Sequence, residues 1–250
     1  MDIKPLVEEA KAQLLAEADY TLEAQYLVRY KNLLSTNTHF KVPNVYVEHS
    51  TSQVLTMEYV DAKPIESICD LPAAERCFVA EQLIDLFFKE MFEFKLIQTD
   101  PNFANYHYQP ESQKIVLFDF GATREITSPL SDAYLVLFKA GSNNDREGVL
   151  NAATAIGYFK DALKDDYKER VIDLFLMACE PLRYNGEFDF KNSELASNIK
   201  DAGLQLSAQS QQWHTPPVDA LFIHRKLAGL YLIAARLEAK INIKALFSHY

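Results

Sequence analysis

Cysteine, glycine and long apolar runs are scarce in this sequence, and the scarcity excludes several classes of protein. The 250 residues include only three cysteines, Cys69, Cys77 and Cys179, and none of them forms a Cys-x-x-Cys pair. A disulfide framework or a zinc cluster is therefore not indicated, and we expect reduced thiols in the core. With 7 glycines and 10 prolines, the chain has no flexible linker and no low-complexity tract.

A segment able to span a membrane is also lacking. The most apolar stretch, LIDLFFKEMFEFKLI, contains five charged residues, whereas a spanning helix needs about 20 consecutive, mostly apolar residues. We therefore expect a core helix there. The N-terminal stretch MDIKPLVEEAKAQLLAEADY is acidic and amphipathic, with neither the apolar block of a signal peptide nor the arginine-rich character of a transit peptide.

Positive charge is in short supply as well. The formal charge is −10 at pH 7 and the isoelectric point is about 5.1. Proteins that bind nucleic acids neutralise backbone phosphates with a basic surface. We therefore expect no nucleic acid partner.

The hydrophobic periodicity predicts an α+β domain that is mostly α-helical. One long helix should run from Pro5 to about Leu34. The runs VPNVYVEHS and SQVLTMEYV are rich in Val, Thr and Tyr, which favours an antiparallel pair of strands. A second helix should begin at Asp70 and end near Phe94.

The second half of the chain is predicted to be a helical body attached to a short hairpin. Strands are expected at 106–108 and 115–118, on either side of the turn Gln-Pro-Glu-Ser-Gln. After Gly121 the sequence has no strand pattern. Helices are predicted near residues 129–140, 144–159, 163–180, 192–210 and 219–247.

The stretch QTDPNFANYHYQPESQKIVLFDFGATRE carries the strongest chemical signal. Asp100 and Asn105 are five residues apart, in an Asp-x-x-x-x-Asn arrangement, and Asp119 follows an apolar strand and begins Asp-Phe-Gly. Phosphoryl transfer needs magnesium held by hard oxygen ligands and a carboxylate near the attacking oxygen. A short loop could bring these three side chains to one metal–phosphate centre. Taken singly, each could be an ordinary turn or capping residue.

A second segment, Leu-Thr-Met-Glu-Tyr-Val at 55–60, resembles the strand and hinge of protein kinases. On that interpretation, backbone groups of Glu58, Tyr59 and Val60 would bond the edge of an adenine, and Met57 would border its pocket. An ordinary edge strand would explain the same residues equally well.

Four segments together resemble one family. QTDPNFANYHY, FDFGATRE, AEADYTLEA and LFIHRKLAGLYLI are similar to the UbiB (AarF-type) family of atypical, protein-kinase-like proteins, in its coenzyme Q branch. The resemblance extends over nearly the whole chain. It implies a protein-kinase-like fold in which Asp119 is the magnesium-binding aspartate, Asn105 the second metal ligand and Asp100 the catalytic-loop aspartate.

The resemblance also implies roles for the first helix. Glu17 and Asp19 match the family's Glu-x-Asp motif, which lies near its nucleotide site, and Glu23 matches the helix glutamate that pairs with a small-lobe lysine. As bare residues, all three could instead form the solvated face of an acidic helix.

The sequence departs from the family in the small lobe. The family's alanine-rich loop, nucleotide-binding lysine and Lys-x-Gly-Gln segment have no counterpart in this sequence, so the sequence shows no equivalent of the lysine that, in the family, pairs with the glutamate corresponding to Glu23. We therefore expect a truncated small lobe at residues 1–60, with the long helix, two strands and hinge, and a helical C-lobe at 61–250. Thr99 stands where ordinary kinases have the arginine of His-Arg-Asp, and no Ala-Pro-Glu follows Asp-Phe-Gly; the resembled family shares both traits.

The segment His224, Arg225 and Lys226 interrupts the apolar pattern of the last helix and matches the family's His-Arg-Lys. A basic helix face or an ion pair with the acidic body explains it more simply than a lipid-headgroup site. The sequence does not assign its role.

Three functions remain open. The first is a UbiB-type ATPase or small-molecule kinase that uses Mg²⁺ and ATP or ADP and supports ubiquinone synthesis. The second is a catalytically silent module that binds an isoprenoid lipid, a membrane surface or ubiquinone-biosynthesis proteins. The third is an aminoglycoside-phosphotransferase-like kinase. For the first two, the resemblance implies a bacterial cytoplasmic protein, peripheral to the inner membrane, or a mitochondrial protein on the matrix side.

Overall fold

The computed structural model describes residues 8, 11, 14–16, 18–159, 165–208 and 217–250. Its described helices are α1 Tyr20–Leu33, α2 Ala73–Lys89, α3 Ser128–Ser142, α4 Arg146–Ile156, α5 Asp165–Ala178, α6 Glu180–Arg183, α7 Leu195–Ala208, α8 Val218–Arg236 and α9 Ile243–Phe247. Its described strands are β1 Phe40–Lys41, β2 Lys63–Pro64, β3 Leu96–Gln98, β4 Tyr106–Gln109, β5 Lys114–Leu117, β6 Thr123–Glu125, β7 Phe188–Asp189 and β8 Lys240–Ile241. The predicted α+β, mostly helical architecture is confirmed.

The first helix was predicted to be continuous, but the structure shows a break in it. Residues 14–16 are helical, but the chain turns at Ala18 and α1 begins at Tyr20. The extended Asp19 caps α1, because its carboxylate accepts a hydrogen bond from the Thr21 amide at 3.0 Å. Hydrophobic periodicity alone predicted one long helix, but Asp19 acts as an N-cap and starts a new helix at Tyr20.

The central sheet has the order β1-β5-β4-β2. The predicted hairpin at 106–108 and 115–118 is confirmed as the antiparallel pair β4 and β5. On the other side of β5, β1 pairs in parallel, with Phe40 opposite Ile115 and Lys41 opposite Val116. This sheet therefore links a strand near the N-terminus to the strand that precedes Asp119.

The two runs between residues 42 and 60 pair less regularly than predicted. Two antiparallel bridges join Val45 to Met57 and Thr51 to Val54, and a 3₁₀ turn at Val47–His49 interrupts the first run. We call this unit the 45–57 hairpin. The antiparallel pairing is confirmed, whereas two continuous strands were a wrong prediction, because this turn gives the backbone local bonds in place of ladder bonds.

The core helix predicted from the most apolar stretch is confirmed as α2. It ends in a π-helical turn, Glu90–Phe94, and Lys95 in the left-handed region then turns the chain into β3. Its inward side chains, among them Leu83, Leu86 and Phe87, are almost completely buried. Within the described residues, no helix is long and apolar enough to cross a membrane.

Two predictions about the second half were wrong. Strands do occur after Gly121, since β6 pairs with β3 and β7 pairs with β8. The helix predicted at 219–247 is three elements, because α8 ends at Arg236 and Glu238 adopts a positive φ of 54° before β8 and α9. Strands of two or three residues are too short to give a detectable alternating pattern.

Candidate functional site

The sequence motifs converge on one cleft. It has a volume of about 460 Å³ and lies between the start of α1, the 45–57 hairpin, the loop after β3 and the segment after β5. Its described lining is Tyr20, Glu23, Leu55, Met57, Asp100, Phe118, Asp119, Gly121 and Ala122. Three carboxylates and no lysine or arginine occur in that lining, so the described walls are acidic.

Asp100 lies in the loop after β3, and both of its carboxylate oxygens have partners. Oδ2 accepts a hydrogen bond from Asn105 Nδ2 at 3.0 Å, and Oδ1 forms an ion pair with the guanidinium of Arg225. The same Asn105 nitrogen donates to the main-chain oxygen of Asp100 at 3.2 Å. Because its amide nitrogen is engaged in this way, Asn105 can offer its amide oxygen to a metal.

Asp119 is exposed in the cleft wall, directly after β5. Its Oδ1 accepts a hydrogen bond from the Gly121 amide at 2.9 Å, which orients the carboxylate. Asn105 lies behind the main cleft and borders a small void of about 10 Å³ that Asp119 also borders. Carboxylate and amide oxygens are the donors that Mg²⁺ takes, with waters and substrate phosphates completing its shell. The side chains present therefore fit a magnesium–phosphate group.

Helix α1 is attached to the Asp-Phe-Gly segment through Glu23. The side chain of Glu23 is buried, and its Oε1 accepts a hydrogen bond from the Phe120 amide at 3.3 Å. The Phe120 ring packs on Tyr30 of the same helix, with 4.6 Å between centroids. Glu23 thus holds the backbone beside Asp119, a contact that the sequence did not predict.

A two-strand clamp joins the loop that carries Asp100 to the chain beyond Asp-Phe-Gly. Strands β3 and β6 pair antiparallel, with Gln98 opposite Thr123. The fully buried Thr99 extends the clamp, since its amide and its hydroxyl both donate to the Ala122 carbonyl, at 2.9 and 2.8 Å. Thr99, at the position that holds arginine in ordinary kinases, therefore forms hydrogen bonds with the backbone carbonyl of Ala122.

The predicted hinge residues occupy different environments. Met57 lines the cleft, and Val60 is buried. Glu58 belongs to the hairpin: its amide donates to the Asn44 carbonyl at 2.7 Å, and its carboxylate bonds Lys41 at 2.7 Å, which lowers the pKa of Glu58. Tyr59 is 87% exposed. The Glu58 amide is thus already used, and neither Tyr59 nor Val60 is part of the described cleft lining.

The Glu-x-Asp motif is only partly visible. Glu17 lies outside the described residues. Asp19 is exposed and caps α1, and it is not part of the cleft lining.

The His-Arg-Lys segment of α8 makes contacts in three directions. Arg225 pairs with Asp100 at the cleft. Lys226 is buried, and His224 lies between Tyr134 and Tyr158, whose hydroxyls are within 3.2 Å of its ring nitrogens. The ion-pair interpretation of this segment is confirmed for Arg225 and Lys226. The position of Lys226 on the apolar side of an amphipathic helix was a signal in the sequence that this residue is buried and paired. The sequence could not identify its partners.

A buried polar cluster lies behind the loop that carries Asp100. The Lys226 ammonium donates to Tyr106 Oη at 2.8 Å and to Gln98 Oε1 at 3.1 Å, and it lies 3.7 Å from Glu90 Oε2. Tyr30 donates to Glu90 Oε1 at 2.8 Å. Burial raises the pKa of Glu90, against the attraction of Lys226. Burial alone would lower the pKa of Lys226, but Glu90 and Tyr106 raise it, so the ammonium stays charged.

Helix α8 also approaches the loop that carries Asp100 very closely. A Cβ atom placed on Gly229 would overlap the ring of Pro101, the residue after Asp100. Glycine at this position lets the helix pack directly on the loop. The contacts of Gly229 and Arg225, one turn apart, together fix the loop that carries Asp100.

Comparisons with known proteins agree with this geometry. A family model described as the ABC1 atypical kinase-like domain matches residues 1–153. The rat protein named atypical kinase COQ8B, mitochondrial, is 33% identical over 96% of this chain and 45% of its own length. The Saccharomyces cerevisiae protein named atypical kinase COQ8, mitochondrial, is 30% identical over 96% of this chain and 48% of its own length. The chain thus spans about half the length of these curated relatives.

A solved structure supports the fold. The structure described as the complex of Rv3197 with erythromycin from Mycobacterium tuberculosis aligns with a TM-score of 0.74. The alignment covers 98% of this chain and 61% of the other, at 21% identity. A shared fold, the similarity to the COQ8 proteins and a family match over more than half of the residues lead to one conclusion: this chain belongs to the ABC1 atypical kinase-like family, which confirms the UbiB-type resemblance.

Proposed function

We propose that the chain binds adenine nucleotide together with Mg²⁺ in the cleft, as the core of a UbiB-type atypical kinase or ATPase. The observation that carries this proposal is that Asp100 and Asp119 line one acidic cleft, while Asn105, directly behind it, donates a hydrogen bond to Asp100 and borders a small void beside Asp119. In such a lining a polyphosphate would be repelled unless a cation neutralised it. Nucleotide binding should therefore depend strictly on magnesium.

Each residue has a distinct task on this proposal. Asp119 and the amide oxygen of Asn105 would hold the metal, which neutralises phosphate charge when it is bound. Leu55, Met57 and Phe118 provide apolar surface for the adenine base. The backbone beside Asp119 is fixed by Glu23, so the carboxylate does not have to reorganise during the reaction.

Asp100 would orient the attacking group rather than act as a strong base. Both of its oxygens already accept hydrogen bonds, one of them from a cationic guanidinium. With both oxygens engaged by fixed partners, the carboxylate is held in one orientation, which suits a positioning role. Arg225 then serves as a positioning residue for Asp100.

The direct test is thermal unfolding with and without Mg²⁺ and ADP or ATP. At a ligand concentration about 100 times its dissociation constant, binding should stabilise the folded chain by about 2.7 kcal/mol. The shift should vanish without magnesium and in Asp119→Asn. The matched control is Asp132→Asn, which removes the same charge from an exposed position on α3 and should keep the shift.

The opposite result favours a different function. If millimolar nucleotide and magnesium give no shift in the unaltered chain, nucleotide binding by this chain is wrong. The second function, a silent module that binds lipid or protein partners, would then be the better description.

We further propose that the protein supports ubiquinone biosynthesis, as the family resemblance implies. The mitochondrial names of the COQ8 relatives favour the matrix side if the protein is eukaryotic; a bacterial protein would act in the cytoplasm, beside the inner membrane. Complementation of a strain that lacks its COQ8-type protein, with Asp119→Asn as the control, tests this role. Failure of the unaltered gene to restore ubiquinone would contradict it.

A further inference from the structure

A second cavity lies inside the helical lobe and shares no lining residue with the cleft. It has a volume of about 240 Å³ and lies among α3, α5, α7 and α8. Protein interiors are normally close-packed, with few voids larger than a water molecule. An engineered apolar cavity of roughly 150 Å³ stays dry and binds benzene. The cavity described here therefore has room for a larger molecule than benzene.

The chemistry of the walls restricts the occupant. Most of the lining is aliphatic or aromatic, as in Leu137, Phe175 and Leu227, and the described lining includes no aspartate, glutamate, lysine or arginine. A charged ligand would lose its hydration without gaining a counter-charge. A neutral and mostly apolar molecule suits these walls.

A small group of polar atoms lies in one part of the wall. The hydroxyls of Tyr134 and Tyr158 lie 3.2 and 3.1 Å from Nε2 of His224, and all three residues line the cavity. Burial lowers the pKa of His224 to about 4, so its ring is neutral near pH 7. A neutral imidazole and two hydroxyls can each donate or accept, so they can exchange one mutual hydrogen bond for one to a ligand.

A glycine in a helix keeps part of the cavity open. Gly203 lies in the interior of α7 and lines the cavity, and a Cβ atom added to it would meet nothing within 4 Å. Glycine is unfavourable inside a helix, and neither a positive φ nor a close approach requires it at this position. Because Gly203 has no side chain, it leaves free volume that almost any other residue would fill.

We propose that this cavity is a binding site for a neutral, mostly apolar small molecule of about ten non-hydrogen atoms that carries one hydrogen-bonding group. Its apolar part packs among α3, α5 and α7. Its polar group bonds to the cluster of His224, Tyr134 and Tyr158. The site is separate from the nucleotide cleft, so it does not depend on the function proposed above.

The test uses three probes that share one naphthalene ring: 1-naphthalenemethanol, 1-methylnaphthalene and 1-naphthoate. Fluorescence titration of the full chain should give saturable, one-to-one binding of the alcohol. The methyl compound should bind several-fold more weakly, because it cannot bond to the polar cluster. The charged naphthoate should bind at least tenfold more weakly than the alcohol. Absence of saturable binding, or equal affinity for all three probes, would overturn the proposal.

Variants of α7 locate the binding. Gly203→Leu places a side chain in the free volume and should weaken binding of the alcohol at least tenfold, while Gly203→Ala, which favours the helix, should weaken it less. Gln205→Leu adds the same leucine to the exposed face of α7 and should leave the affinity unchanged within twofold. Asp119→Asn should also bind normally, which separates this site from the cleft. Unaltered binding in folded Gly203→Leu and Gly203→Ala would contradict the assignment.

Discussion

At the scale of single residues, His224 makes the stability of the protein depend on pH. Its pKa is lowered by burial to about 4, whereas the unfolded chain has the ordinary value of 6.5. Between these values the unfolded state binds the proton more readily. The contribution of the neutral imidazole is therefore complete above about pH 6.5 and is lost as the pH falls towards 4.

The expected size of this effect is measurable. Between pH 7 and pH 5, His224 should lower the free energy of unfolding by about 2 kcal/mol. Urea unfolding at both pH values should show this loss in the unaltered chain and a smaller loss in His224→Gln, which keeps a neutral donor and acceptor. Carboxylates titrate in both proteins, so the difference isolates His224. Equal losses would mean that the imidazole is accessible to protons in the folded state.

Residue chemistry was the part of the site that the sequence predicted best. The Asp-x-x-x-x-Asn spacing and Asp119 were visible because loop and strand lie close together along the chain. The partners of Asp100 and Phe120 were not, since Arg225 and Glu23 are about a hundred residues away from them in sequence. Spacing alone cannot report contacts of that range.

At the scale of elements, a buried ion pair between Lys226 and Glu90 connects α8 to the π-helical turn that ends α2. Lys226 is 2% exposed and Glu90 1% exposed. Removing one partner leaves an uncompensated charge in the core, which typically costs about 3–5 kcal/mol. Lys226→Met should therefore be strongly destabilising in urea unfolding.

The double variant separates the charge from the packing. Adding Glu90→Gln to Lys226→Met removes the unpaired carboxylate and should restore at least about 1 kcal/mol of the lost stability. Lys139→Met, on the exposed side of α3, is the control and should change stability by no more than about 0.5 kcal/mol. Additive losses in the double variant would show that the two side chains do not interact.

Elements with clear periodicity were predicted well, and short ones were not. Helix α2 and the β4–β5 hairpin have enough residues to display a pattern, but β6, β7 and β8 have two or three each. Tertiary pairing forms such strands, and local sequence does not specify it. The 45–57 hairpin lies between these cases, because its two runs pair while a 3₁₀ turn interrupts one of them.

At the scale of the whole molecule, one hydrophobic core joins the N-terminal and helical parts. Leu27 and Tyr30 of α1 belong to the same buried cluster as Phe87 of α2 and Ile233 of α8. A shared core favours cooperative unfolding. We expect a single calorimetric transition whose calorimetric and van't Hoff enthalpies agree.

The same measurement tests the division at residue 60. If residues 1–60 formed an independent unit, calorimetry would give two transitions, and the lower one would involve α1 and the 45–57 hairpin. A single transition would mean that the small-lobe portion is thermodynamically part of the C-lobe. Any ligand in the cleft would then stabilise the entire chain.

Because β1 pairs with β5, the central sheet cannot be completed early during synthesis. Phe40 leaves the ribosome long before its partner Ile115. At about 5–20 residues per second, the delay is roughly 4 to 15 seconds. Throughout that time β1 has no partner strand. The part of the sheet that positions Asp119 can form only after β5 has been synthesised. The segment that contains β1 is therefore the part of the chain that we expect to need protection by a chaperone.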